Sequence, residues 1–477
     1  MGNENNKSNE PKVLNQLNYH ILPFAFKKDY CEVIKGIEAS NEWKWQKNMN
    51  TQVFTHIENL VFSENNKETI GRKYILLNDS KVREKYGLPS KKTETLRMYV
   101  KNNSDYTFKI MSMEMYIFET NVGFILFEIE FVDKKSNVDI EHIINGNYFF
   151  KKFAHSNNIK IYYNKKGEYN KELGKAEYIQ VEFSRGKIVS NITNDFDVDT
   201  FFTRIKKPEN CLVFNSVTLD RIPQENMLEE YLFRMRRSFK DSYRPSPLEF
   251  NVENNNEILR MFENSYWGVS LEGIGNITYS TKDSFFASNY KGNLKSTYIY
   301  MYILGLHKRY ALLYLSMRIS RLPNTIKEYI KYEKKHKENI LYKFREKIVF
   351  FKFRCVFNET SNITHQAKLF DMIENTLRIE QLLNEMESEI EALTSMIEMK
   401  EFKSKSELRE FVAAASLIFA VISTIVSGWE LVKIIEKENF PPVNSNAFFT
   451  LLVLTFLLVF LVFTGAKLIF KIKKEMK

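Results

Sequence analysis

Two uncharged apolar runs near the C-terminus constrain this chain more than any other feature. Phe411–Trp429 is nineteen residues without a charge, and Ala447–Ala466 is twenty more. As a helix, either run is long enough to cross a hydrocarbon core about 30 Å thick. They predict two transmembrane helices, 411–429 and 447–466, joined by an extracytoplasmic loop at 430–446. Lys403, Lys405 and Arg409 precede the pair, and Lys467, Lys471, Lys473, Lys474 and Lys477 follow it in a basic tail at 467–477. This asymmetry predicts an inner (plasma) membrane location with both termini in the cytoplasm.

The two runs differ in character. The second is Leu-, Phe- and Val-rich on all sides, as suits a helix facing the lipid bilayer. The first carries Ala413, Ser416, Ala420, Ser423 and Ser427 at steps of three and four, so one helical face is small and weakly polar. Two readings of that stripe stay open: close helix packing, or a pore wall in a homo-oligomer.

Upstream, Ile379, Leu383, Met386, Ile390, Leu393 and Ile397 alternate at steps of four and three, a coiled-coil seam in a Glu- and Lys-rich setting. No Pro or Gly occurs between Asn358 and Gly428. The pattern predicts a long coiled-coil-type helix over 364–410 running on into the first span. The region 251–363 reads as mainly helical. Its apolar stretch from Ser296 to Met317 holds His307, Lys308 and Arg309 at its centre, which is costly in lipid, so a buried cytoplasmic helix is expected there. Arg321–Lys352, with ten Lys/Arg against four acidic residues, reads as an antiparallel partner of the seam.

From residue 17 to 250 the pattern is strand-like, following a polar tail at 1–16 expected to be disordered. Met111–Glu119 and Phe124–Phe131 flank a short Gly-containing loop and read as a hairpin. Further strands are expected at Ile159–Tyr163, Tyr178–Phe183 and Cys211–Val217, and a helix at Glu225–Phe239. The expected fold class is therefore an α+β cytoplasmic domain, strands first and helices later, followed by long helices and two C-terminal spans.

Functional classes narrow by elimination. The net charge of +10 comes without an Arg-rich tract or a zinc-finger spacing. An anionic inner leaflet accounts for it, and no direct nucleic-acid binding is expected. Cys31, Cys211 and Cys355 have no metal-ligand spacing, so no metal is expected and the thiols suit a reducing compartment. Met1–Lys7 is polar and lacks the apolar core of a signal peptide. A phosphate-binding loop, a nucleophile elbow, a zinc-protease motif and a dinucleotide fingerprint are all absent, so the chain reads as a non-enzyme without a cofactor.

Two places suit an anionic ligand. One is Arg234, Arg236 and Arg237, followed by Arg244, with Asp220 and Arg221 nearby in sequence. Guanidinium forks match phosphate geometry. The other is Tyr266-Trp267, leading through a Gly-rich segment to Asn276, where an aromatic beside a turn would stack a base. A salt-bridged helix surface and an aromatic-anchored turn are the bland alternatives.

The order of these features, with a long helix running into the first of two C-terminal spans, resembles the CorA family of cation channels. The Gly-Met-Asn triplet of that family is absent; the corresponding stretch reads Ser427-Gly428-Trp429-Glu430. Several segments resemble a divergent branch, the CorA-like membrane effectors of type III CRISPR systems: Tyr266-Trp267, Ser270-Leu271-Glu272-Gly273, Leu304–Leu313, and the Gly123–Glu128 hairpin strand. That resemblance implies a ring of identical subunits, pentameric or similar. It also implies a nucleotide second messenger, S-adenosyl-methionine joined to AMP, whose binding opens or distorts the membrane and arrests growth. A CorA-type Mg²⁺ transporter and a membrane-tethered nucleotide-processing enzyme are the rival expectations.

Overall fold

The computed structural model describes residues 11–437 apart from 66, 134–137, 154–155, 171–174, 200, 202–210, 251–255, 281–284, 322–339 and 358. The chain divides into two units, Met1–Glu391 and Ala392–Lys477.

The first unit is organised by one long sheet. Its described strands are β1 (Val13–Phe26), β2 (Trp43–Gln46), β3 (Gly71–Leu76), β4 (Leu96–Val100), β5 (Tyr106–Phe118), β6 (Val122–Val132), β7 (Ile159–Asn170), β8 (Lys175–Glu182), β9 (Val198–Asp199), β10 (Leu212–Leu219), β11 (Ile258–Phe262), β12 (Ser265–Val269) and β13 (Gly273–Tyr279). The main path runs β11-β12-β13-β10-β1-β6-β5-β4-β7-β8, with β3 and β2 branching from β5, and β9 from β1. The predicted hairpin is present as β5–β6, closed through Asn121 at φ 65°, a left-handed value that Asn tolerates.

Alternation along β5 explains its register. Phe108 and Ile110 face the core, and so do Met113, Met115 and Ile117. A bulge between Ile110 and Ser112 shifts the parity and keeps both halves apolar on the same side. The centre of the sheet is covered on both faces. Ile125, Phe127 and Ile129 of β6 belong to the main core, while Phe124 meets Tyr310 edge-on at 5.9 Å from the opposite side. Strands buried on both faces read as continuous apolar runs, as β6 does.

Helices are interleaved with the strands: α1 (Tyr30–Ala39), α2 (Thr55–Phe62), α3 (Ser80–Lys85), α4 (Ile140–Lys152), α5 (Arg185–Thr193), α6 (Glu225–Arg237), α7 (Phe285–Ser288), α8 (Tyr290–Asn293), α9 (Ile299–Ile319), α10 (Ile340–Cys355), α11 (Thr364–Thr376) and α12 (Ile379–Lys437). This corrects the expected fold class of strands first and helices later. Among the described pairings β10 and β13 are the parallel pair, and parallel neighbours need a crossover. Here the crossover contains α6 and the β11–β12 hairpin, so strands return after the helices have begun.

Most of the Ser296–Met317 stretch is a buried helix, α9, whose central His-Lys-Arg triplet has partners. His307 meets Thr120, Lys308 pairs with Glu374, and Arg309 donates to Leu377 O. The predicted long helix is interrupted: Arg378 stands at φ 57° between α11 and α12. The seam begins after it, with Ile379, Met386 and Ile390 buried. On α10, Lys352 pairs with Glu387 of α12.

The membrane expectation is corrected. Among the described residues no helix is long and apolar enough to cross a membrane. Phe411–Trp429 does not form an element of its own; it is an inner stretch of the 59-residue α12, which begins in the Glu- and Lys-rich seam. Residues 430–437 of the expected loop are the last turns of α12; 438–446, the run at 447–466 and the basic tail lie outside the described residues. On the described residues the first span, the inner-membrane location, and the reading of a membrane protein and ion channel are not supported. Ala413, Ser416, Ala420, Ser423 and Ser427 lie on α12, where Ser416 Oγ donates to Val412 O at 2.8 Å. Their pore-lining role rested on the spans.

Candidate functional site

The arginines singled out from the sequence lie in the last turn of α6, where cations complement the helix dipole. The helix lies nearly in contact with the sheet. A Cβ at Gly268 would come within 2.8 Å of Arg236 Cδ, and one at Gly275 within 2.9 Å of the Arg236 nitrogen. The Gly-rich segment is therefore strand β13 and its approach surface, not a flexible turn. The close approach also closes the helix end. Asn215 Nδ2 donates to Met235 O at 3.0 Å, and Ser270 Oγ donates to Arg236 O at 2.7 Å. Ser238 turns the chain away at φ 51°.

Three guanidiniums then take two different roles. Arg234 is buried and grips Glu141 with both terminal nitrogens (2.6 and 2.8 Å), adding Asn145 at 3.1 Å. This joins α6 to α4. Arg236 is also fully buried; it pairs with Glu249 and Glu257 and donates to Val269 O at 3.3 Å. Arg237, partly exposed, reaches the same two carboxylates at 3.2 and 3.1 Å. Two guanidiniums thus share two carboxylates, forming a clasp. Burial lowers the Arg236 pKa from its ordinary value, while Glu257 and Glu249 oppose that shift. The carboxylates remain 28% and 34% exposed, so their side of the clasp faces solvent.

The other predicted residues do not converge on it. Asp220 and Arg221 stand at the far end of β10, where Asp220 accepts from the Lys12 backbone N–H at 2.7 Å and lies 4.0 Å from Arg221. Arg244 is exposed on the loop after α6. Tyr266 is buried, with Arg260 over its ring at 4.8 Å. Trp267 is buried and stacked on Tyr298 (5.0 Å, 28°), so neither ring is presented to a base. Asn276 is fully buried; it donates to Tyr266 O and accepts from Ser216 Oγ and Tyr290 OH. These three bonds tie β10, β12, β13 and α8 together.

Sequence reasoning missed Glu249 and Glu257. They follow Arg237 by 12 and 20 residues, a spacing with no local signature. Among the described residues no group of acidic, His and Cys side chains could hold a metal ion.

No protein-family model matches this chain. No curated protein matches it either.

Proposed function

We propose that this chain is a sensor of a phosphate-bearing nucleotide, and that the clasp of Arg236 and Arg237 is where the phosphate enters. The observation that carries this reading is the sharing of Glu249 and Glu257 between two guanidiniums, with the carboxylates on the solvent side. An internal carboxylate can stand in for a phosphate because both offer oxygens to a guanidinium fork. Incoming phosphate would displace the two acids and release Glu249 and Glu257 from α6. The resemblance to CorA-like effectors of type III CRISPR systems supports S-adenosyl-methionine–AMP as the messenger and antiviral growth arrest as the outcome. Self-association belongs to the same reading. In the second unit Phe411 is 71% and Phe419 74% exposed, together with Leu417 and Ile422, and apolar surface of that kind calls for a partner.

Binding by the full-length protein tests this. S-adenosyl-methionine–AMP is compared with cyclic oligoadenylates, ATP and Mg²⁺, for the wild type, Arg237→Ala and Glu249→Gln/Glu257→Gln. The displacement mechanism requires that Arg237→Ala weaken binding and that the double Gln variant strengthen it. Weaker binding in the Gln variant, or equal affinity in all three proteins, would remove the clasp from ligand recognition.

A further inference from the structure

The opposite end of the sheet carries a second surface that the clasp does not use. Five strand spacings separate β13 from β4, roughly 24 Å at about 4.8 Å per spacing. There β4 and β7 pair antiparallel, with Arg97 opposite Tyr162 and Tyr99 opposite Lys160. Residues directly opposite share a face of the sheet, and so do residues two apart along a strand. Arg97, Tyr99, Lys101, Lys160 and Tyr162 therefore form one outward-facing patch.

Its inward neighbours Met98 and Ile161 are fully buried, whereas Tyr99 and Tyr162 are half-buried and the three cations exposed. The two tyrosine rings meet edge-on, 5.8 Å apart at 67°, and Arg97 lies over Tyr99 at 4.7 Å. The two tyrosines border an open depression of about 520 Å³, to which Lys101, Lys160 and Asn158 also contribute. Asp105 engages Arg97 through two contacts of 2.7 and 3.1 Å, and Glu182 lies opposite Tyr162 on β8. Lys101 and Lys160 remain at the rim.

Aromatic faces on a solvent-exposed sheet, bordered by cations, match what an extended single strand offers: π-faces at the bases and phosphates along the backbone. We infer that this patch binds single-stranded nucleic acid, with bases stacked on the half-buried Tyr162 ring and on the Arg97 guanidinium that Tyr99 supports, and the phosphates drawn to Lys101 and Lys160. The depression is open to solvent, which suits a strand passing across it rather than an enclosed small molecule. This inference departs from the expectation of no direct nucleic-acid binding, and it does not depend on the clasp.

The test is fluorescence anisotropy of the full-length protein with a short labelled oligoadenylate RNA, the matching DNA strand, a duplex and AMP. Wild-type protein should prefer the single strands to duplex and AMP. Tyr99→Leu/Tyr162→Leu should weaken single-strand binding about tenfold or more, while Tyr99→Phe/Tyr162→Phe retains it. Lys101→Glu/Lys160→Glu should weaken it and flatten its salt dependence. Arg237→Ala should leave it unchanged, which separates this surface from the clasp. Unaltered binding in the Leu variant would overturn the stacking surface. So would a preference for AMP over the oligomers, or no binding of single strands by wild type.

Discussion

The imidazole of His307 lies 3.9 Å from the ring of Phe118 and within 15° of parallel to it. This stack fastens α9 to the sheet, and the Thr120 hydroxyl meets His307 Nε2 at 2.9 Å. Burial and the adjacent Lys308 cation push the His307 pKa down to about 3. The unfolded chain takes up a proton near pH 6.5, whereas the folded chain resists until about 3. Stability should therefore be complete above pH 6.5 and fall as pH drops toward 3, with a slope of up to about 1.4 kcal/mol per pH unit per histidine. His20, buried beside Asn147 and also lowered to about 3, adds a parallel contribution. Urea melts at a series of pH values check this, and His307→Gln should reduce the acid slope.

Gly305 of α9 leaves room for α11. A Cβ there would come within 2.5 Å of Ile373 Cγ2, and Ile373 is itself fully buried. Gly305→Ala should destabilise the fold by about 1–3 kcal/mol through overpacking. Ile373→Ala removes Cγ2, the contacting atom, so Gly305→Ala combined with it should cost less than the sum of the two single losses. Denaturation of the two single variants and the double yields the coupling directly.

Lys308 and Glu374 make a mostly buried ion pair between the same two helices. Lys308 also lies 3.7 Å from the centre of the Phe357 ring and donates to Phe357 O at 3.1 Å. Burial lowers the lysine pKa and raises that of the glutamate, each opposed by the partner charge. Lys308→Met should strand Glu374 and cost about 3–5 kcal/mol, whereas replacing both by apolar residues should cost much less. Thermal melts of Lys308→Met and Lys308→Met/Glu374→Leu distinguish the two outcomes.

What the sequence made legible was local. The β5–β6 hairpin, the buried α9 and the arginine turn of α6 each follow from patterns within about twenty residues. What it concealed was set by contacts distant in sequence. Nothing near Trp267 announces that Tyr298 will cover its face, nor does Arg237 announce the acids of the 249–257 segment. The break at Arg378 escaped because neither Gly nor Pro marks it; an arginine adopts the left-handed conformation there, where α11 meets α9. The continuity of the apolar run at 411–429 with the seam helix was legible from the lack of Gly and Pro, and α12 does run through it, beginning 32 residues earlier.

Arg236 and Arg237 differ in what a lysine could replace. Arg236 holds Glu249 and Glu257 through two separate terminal nitrogens and keeps a contact with Val269 O. One ammonium on a single stem cannot reproduce that fork, and the site is fully buried. Arg236→Lys should therefore leave buried groups unsatisfied and lower stability by about 1–3 kcal/mol. Arg237 reaches the same acids through Nη2 alone and is 23% exposed, so Arg237→Lys should cost well under 1 kcal/mol. The comparison is read by urea denaturation of both variants. Equal losses would mean that the Arg236 fork adds nothing beyond a single charge at the shared carboxylates.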